Sequence, residues 1–226
     1  MEIPDPANYV QPWSGYCPPD ELQGPDPHHD RACQRANIKP PGQYARIEVG
    51  DNAWVRMACD EARAAVAAGG GPFGAVLLQI DDETHEVIRY WRTHNRVNLE
   101  NDPSAHAEVL AIRSACCELG VFHLGRIERA AANLPQRGAT SHCEIYSSSE
   151  PCPMCFAAIA WARLGTLVFA ATRHDAAAPG VDFSDAAIYA ELAKPYHQRS
   201  IKTYQATTDI SLDAFNLWKR SPKTPY

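Results

Sequence analysis

Apolar side chains recur at helical spacing through Trp54, Val55, Ala58, Ala62, Ala65 and Val66, with Asp51 placed to cap the start and Gly69-Gly70-Gly71 to stop the run. That pattern predicts a first helix. Phe73 to Ile80 is a mostly apolar stretch of strand length, Asp81-Asp82-Glu83 reads as a turn, and Glu86 to Val97 reads as an antiparallel partner. Further on, the periodicity predicts a helix from about Ser104 to Leu119, a strand near Cys143 to Ser147, a helix from Cys152 to Arg163 and a strand at Thr166 to Ala171. A tail follows in which Ala186 to Ala193 and Leu212 to Trp218 read as helices and Ile201 to Gln205 as a strand. Alternating elements of this kind imply an α/β sheet with helices on both faces. Residues 123 to 142, with Gly125, Pro135 and Gly138, read as a long loop.

Nine of the 18 prolines fall in residues 1–50, so neither helix nor central strand runs far there. This is a Pro-rich extension ahead of a domain spanning residues 51–226. Its His28-His29 pair has no further ligand nearby at metal-site spacing and reads as solvated loop. The composition, 45% hydrophobic and 21% charged, is that of a globular chain. A net charge of -6 leaves no basic face of the kind a phosphate backbone requires, so nucleic acid is not an expected partner. No apolar run approaches the ~20 residues that span a bilayer, and Met1 to Pro27 lacks the pattern of a signal peptide, so a cytoplasmic protein without membrane contact is expected. Eight cysteines, two of them spaced Cys-x-x-Cys, suit metal work with reduced thiols better than a disulfide framework.

The chemistry concentrates in two segments. His106-Ala107-Glu108 opens one predicted helix and Pro151-Cys152-Pro153-Met154-Cys155 opens another. Cys152 and Cys155, three apart, share one side of a helical first turn, and Pro153 suits that turn because its missing N–H costs nothing there. The positive end of the helix favours thiolates. One imidazole and two thiolates form a neutral set around zinc(II), and three protein ligands are the number found where zinc is catalytic. Glu108 is then the proton carrier between water, substrate nitrogen and departing amine. The H-x-E…P-C-x-x-C order is that of zinc nucleobase deaminases. Two blander readings stand beside it. Cys143 or His142 as a fourth ligand would close a structural zinc site in a non-catalytic module, and without metal His106 would merely cap its helix.

With these motifs the chain resembles the cytidine-deaminase-like superfamily, and within it looks most like the small bacterial guanine deaminases and their plant guanosine-deaminating relatives. The likeness runs from about Asn52 onward and includes Gly70-Gly71-Pro72-Phe73-Gly74-Ala75-Val76, Asn101 to Val109, Ala158 to Arg163 and His174-Asp175-Ala176-Ala177. The resemblance implies a three-layer α-β-α fold around a central mixed sheet, zinc as the cofactor, and the reaction guanine plus water to xanthine plus ammonia. Guanosine, a pterin or a triazine are the alternative substrates for the same chemistry. A tRNA-adenosine editor shares the zinc motif, but the acidic balance argues against it. The resemblance further implies that Asn95 and the Ala107 backbone amide contact the heterocycle, that Phe183 packs on it, and that Asp185 is a second acid. The family's Gly-Phe-Asp segment is interrupted here by Val181-Asp182, which leaves Asp182 as the competing acid. It also implies a homodimer in which residues 186–226 cross to the neighbouring subunit and bring Tyr226 to its substrate. Trp161 is expected to wall the pocket.

Overall fold

Asn52, not Asp51, begins the first helix: its side-chain oxygen accepts the N–H groups of Trp54 and Val55, whereas Asp51 pairs with Arg56 at 2.6 Å. A cap must fold back onto the amides two and three residues ahead, and Asn52 stands one residue nearer to them. The computed structural model describes residues 42–222, so most of the Pro-rich extension, and Tyr226 with it, lies outside the described residues. The chain divides into two compact units, at Ser184/Asp185.

In the first unit α1 (Ala53–Ala67) precedes β1 (Gly74–Asp81) and β2 (Val87–His94), a hairpin in register Gly74 to His94. The short α2 (Val97–Glu100) leads to α3 (Ala107–Leu119). β3 (Ile127–Glu128) and β4 (Thr140–Ser149) follow, then α4 (Pro153–Trp161), β5 (Leu167–Ala171) and the short α5 (Arg173–Ala176). β4 runs antiparallel to β1 along one edge. On its other edge it pairs antiparallel with β3 and parallel with β5, which completes a mixed sheet of five strands.

Alternation along β1 assigns the two faces. Ala75 and Leu77 join Trp91, Cys143 and Ile145 under α3 and α4, while Val76 and Leu78 join Tyr146 under α1. Helices therefore cover both faces, as the α/β reading requires. Gly74 lets α1 lie close to β1, since a Cβ there would lie 2.2 Å from the Ala58 carbonyl oxygen. The segment 123–142 is more ordered than a loop, because β3 pairs with the start of β4 and buried Gln136 bonds Gln79 and the Ile127 carbonyl. These partners are remote in sequence, so no local pattern announces them.

The second unit comprises α6 (Ala186–Ala193), one 3-10 turn (Tyr196–Gln198) and α7 (Asp213–Arg220). Residues 201–205, expected as a strand, join no sheet. β-branched and aromatic residues favour a strand only where an edge is available to pair with, and backbone preference alone does not supply one.

Candidate active site

Two helix starts meet under the end of the sheet. His106 is the N-cap residue of α3 and Glu108 lies in its first turn; Cys152 is the N-cap residue of α4, with Pro153 next and Cys155 in the first turn. The two helices thus begin one residue after their first candidate metal ligand, with His106 and Cys152 in extended conformation. The Arg96 N–H donates to the Ala105 carbonyl at 3.0 Å, tying the segment after β2 to the segment that presents His106.

His106 Nδ1 stands 3.6 Å from Cys152 Sγ and 3.4 Å from Cys155 Sγ, and the two sulfurs are 3.6 Å apart. Tetrahedral zinc with ordinary Zn–S and Zn–N bonds separates two sulfurs by about 3.8 Å and sulfur from nitrogen by about 3.6 Å. The donor set therefore fits zinc in both chemistry and spacing. Neither proposed fourth ligand joins it: Cys143 is buried in the core beneath α3, and His142 Nδ1 is 2.6 Å from Asp82. Among the described residues, the group gathered for a metal is His106, Cys152 and Cys155.

The sulfurs are electrostatically unequal. The Cys155 thiol beside it, and the His106 ring, hold Cys152 down at about 4, whereas Cys152, burial and the Glu108 carboxylate push Cys155 upward. The hydrogen bond to Cys152 raises His106. One thiolate thus shares a proton with its neighbour, and a divalent cation is the species that favours ionisation of both.

Glu108 is buried against this group. Its Oε2 lies 3.4 Å from Cys155 Sγ, and its Oε1 accepts the Ser147 hydroxyl at 3.1 Å. Burial raises the pKa of the carboxyl, which favours proton uptake. Ser147 was not legible as a site residue, because Ser147-Ser148-Ser149 reads as plain strand; the useful signal was alternation, which points Ser147 and Ser149 to the same face of β4.

Asn95 follows β2 and is buried, its Oδ1 accepting the N–H groups of Gly71 (3.3 Å) and Val97 (3.2 Å). The Phe73 ring meets Phe183 edge to face at 5.1 Å, and a Cβ on Gly71 would lie 3.4 Å from Phe73 and 3.3 Å from Asn95. Asn95, Phe73 and Phe183 are thus brought together, and Phe73 is an aromatic neighbour that sequence reasoning missed. Ala107 is fully buried as the first residue of α3, where backbone N–H groups lack helical partners. Trp161 ends α4, 63% exposed, six residues and about 9 Å of helix beyond Cys155. Asp182 occupies a left-handed turn (φ 61°), and Asp185 opens the second unit as the residue before α6.

Residues 49–171 match the model of the cytidine and deoxycytidylate deaminase zinc-binding region. The guanine deaminase of Bacillus subtilis is 39% identical over 165 residues, which cover 73% of this chain and 88% of that protein. A tRNA-specific adenosine deaminase of Aquifex aeolicus is 32% identical over 54% of this chain and 67% of its own. The X-ray structure of the Bacillus subtilis guanine deaminase superposes with a TM-score of 0.63 at 37% identity, covering 79% of this chain and 99% of that one.

Proposed function

Because the chain belongs to the cytidine and deoxycytidylate deaminase family of zinc-binding aminohydrolases, we propose that it hydrolyses the 2-amino group of guanine, converting guanine and water to xanthine and ammonia. The observation that carries this reading is the buried Glu108 carboxylate, held by Ser147 on one oxygen and facing the His106, Cys152 and Cys155 group with the other. Zinc bound by those three residues supplies a Lewis acid that brings the pKa of water to ~7. Glu108 carries one proton of the attacking water to the ring nitrogen and the second, from the hydroxyl of the resulting tetrahedral adduct, to the amine, so that the carbonyl forms as the C–N bond breaks and ammonia departs as a neutral molecule.

The rest of the pocket suits a planar heterocycle. With Asn95 Oδ1 committed to two backbone N–H groups, its NH2 end is the donor offered to a ring nitrogen or carbonyl of the base. Phe183, 47% exposed beside Phe73, offers a flat apolar surface for stacking. The Ala107 amide supplies a second contact, and Asp185 a second proton carrier. The 39% identity to a guanine deaminase over most of both chains favours guanine among amino-heterocycles.

The same reading includes a homodimer with exchanged C-terminal segments. Across residues 185–222 no side chain is buried, and Ile188 and Leu192, one turn apart on α6, are 50% and 59% exposed, which leaves an apolar stripe for a second copy to cover. Among the described residues no helix is long and apolar enough to cross a membrane. Ammonia release measured across guanine, guanosine, adenine and cytosine tests the substrate. Turnover of guanine above the others is expected, and turnover confined to another compound overturns the assignment.

A further inference from the structure

Tyr44 belongs to the segment ahead of the domain, yet it is 8% exposed while its neighbours in the turn at residues 42–46 are open to solvent. Its ring lies edge-on to Phe169 of β5 at 6.3 Å and to His174 of α5 at 6.2 Å. The adjacent Gln43 reaches His174 Nε2 at 3.4 Å. The Tyr44 hydroxyl donates to Glu150 Oε2 at 2.7 Å across 106 residues of sequence. Burial and the Glu150 carboxylate push its pKa upward, so it remains a donor throughout the neutral range.

Glu150 is the hinge between the sheet and the metal loop. Its N–H donates to the Ala171 carbonyl at 2.7 Å, and the Oε2 that receives Tyr44 also receives the Arg173 N–H at 2.9 Å. Pro151, which follows, has no N–H to contribute, and Cys152 comes next. The position of Cys152 relative to His106 and Cys155 therefore depends on how firmly Glu150 is held. α5 is itself stiffened by reciprocal Thr172 and Asp175 caps, so the carboxylate is anchored on one side to a fixed element and on the other to Tyr44.

We propose that Tyr44 is a positioning residue for the zinc site: by clamping Glu150 it holds the Glu150-Pro151-Cys152 turn in ligand geometry and slows the escape of the metal. The segment before α1 is then a strap on the metal loop. The proposal rests on the zinc ligands alone and is independent of which heterocycle is deaminated.

The test is the rate at which the full-length zinc-loaded protein loses zinc to excess EDTA, with no substrate present. Tyr44→Phe removes the hydroxyl and keeps the ring, and is expected to release zinc roughly tenfold faster, the scale of one hydrogen bond to a charged group. Glu150→Ala is expected to do the same, Glu150→Gln to do so less because its amide oxygen still accepts, and Tyr44→Phe combined with Glu150→Ala to be no faster than Glu150→Ala alone. Val55→Ala, in the cluster beneath α1, supplies a variant of lowered stability that keeps both Tyr44 and Glu150. Release by Tyr44→Phe at the parental rate overturns the proposal, and so does equal acceleration by Val55→Ala at a matched loss of Tm. Should Tyr44→Phe fail to fold, an unchanged rate in Glu150→Ala overturns it instead. Failure of the guanine assignment would leave these rates untouched.

Discussion

The Ser147 hydroxyl and the Glu108 carboxylate meet at 3.1 Å, a strand residue and a first-turn helix residue joined across the buried floor of the site. The Ser149 N–H approaches the same hydroxyl oxygen at 3.4 Å, which directs the hydroxyl proton to Glu108. The bond selects one carboxylate orientation, the one that faces the metal ligands with Oε2.

Ser147→Ala should therefore lower kcat roughly tenfold or more, the scale of a hydrogen bond to a charged acceptor, with KM little changed and zinc content intact. Steady-state kinetics beside metal analysis decide it. A change confined to KM would mean that Ser147 acts on binding and not on Glu108.

Glu108→Gln keeps size and burial and loses the proton carrier. The expected result is a stoichiometric zinc protein with turnover reduced about 10²- to 10⁴-fold. Substantial residual turnover would move the proton-carrying role to another residue.

Stripping zinc should unsettle the fold as well as the chemistry, because two thiols and an imidazole at two helix starts lose their common partner. Metal bound far above its Kd stabilises a chain of this size by about 4 kcal/mol, or about 8–16 °C in Tm. A melting curve of the chelated protein, repeated after zinc is restored, measures the shift. An unchanged Tm would place little of the fold's stability in the metal site.

At the end of β2 next to Asn95, Glu61 of α1 accepts Arg92 at 2.6 Å and His94 at 3.1 Å. Burial raises the Glu61 pKa, and the bonds from His94 and Arg92 outweigh it, leaving the carboxyl below its ordinary 4.5. A depressed folded pKa contributes stability that is present above the unfolded value and lost as pH falls through the folded one. Glu61→Gln should thus cost about 1–2 kcal/mol at pH 7, and the gap should close as the pH is lowered below the ordinary 4.5. Urea unfolding across pH 3–7 reads it; a gap of constant size would assign the loss to packing.

How far the site was legible follows the range of the interactions. His106, Glu108, Cys152 and Cys155 announce themselves because spacings of two and three residues at a helix start carry geometric meaning by themselves. The place of Phe183 comes from resemblance, and the structure sets its ring beside Phe73.

The chain alone determined which donors are spaced to gather at a zinc site, which strands alternate and which segments are helical, since each depends on neighbours within one or two turns of backbone. Only the folded chain decided that Ser147 would serve Glu108 across 39 residues and that Tyr44 would reach Glu150 across 106. Those partners are chosen by sheet order and helix packing, and a serine in a strand or a tyrosine in a Pro-rich arm carries no local mark of the carboxylate it will meet.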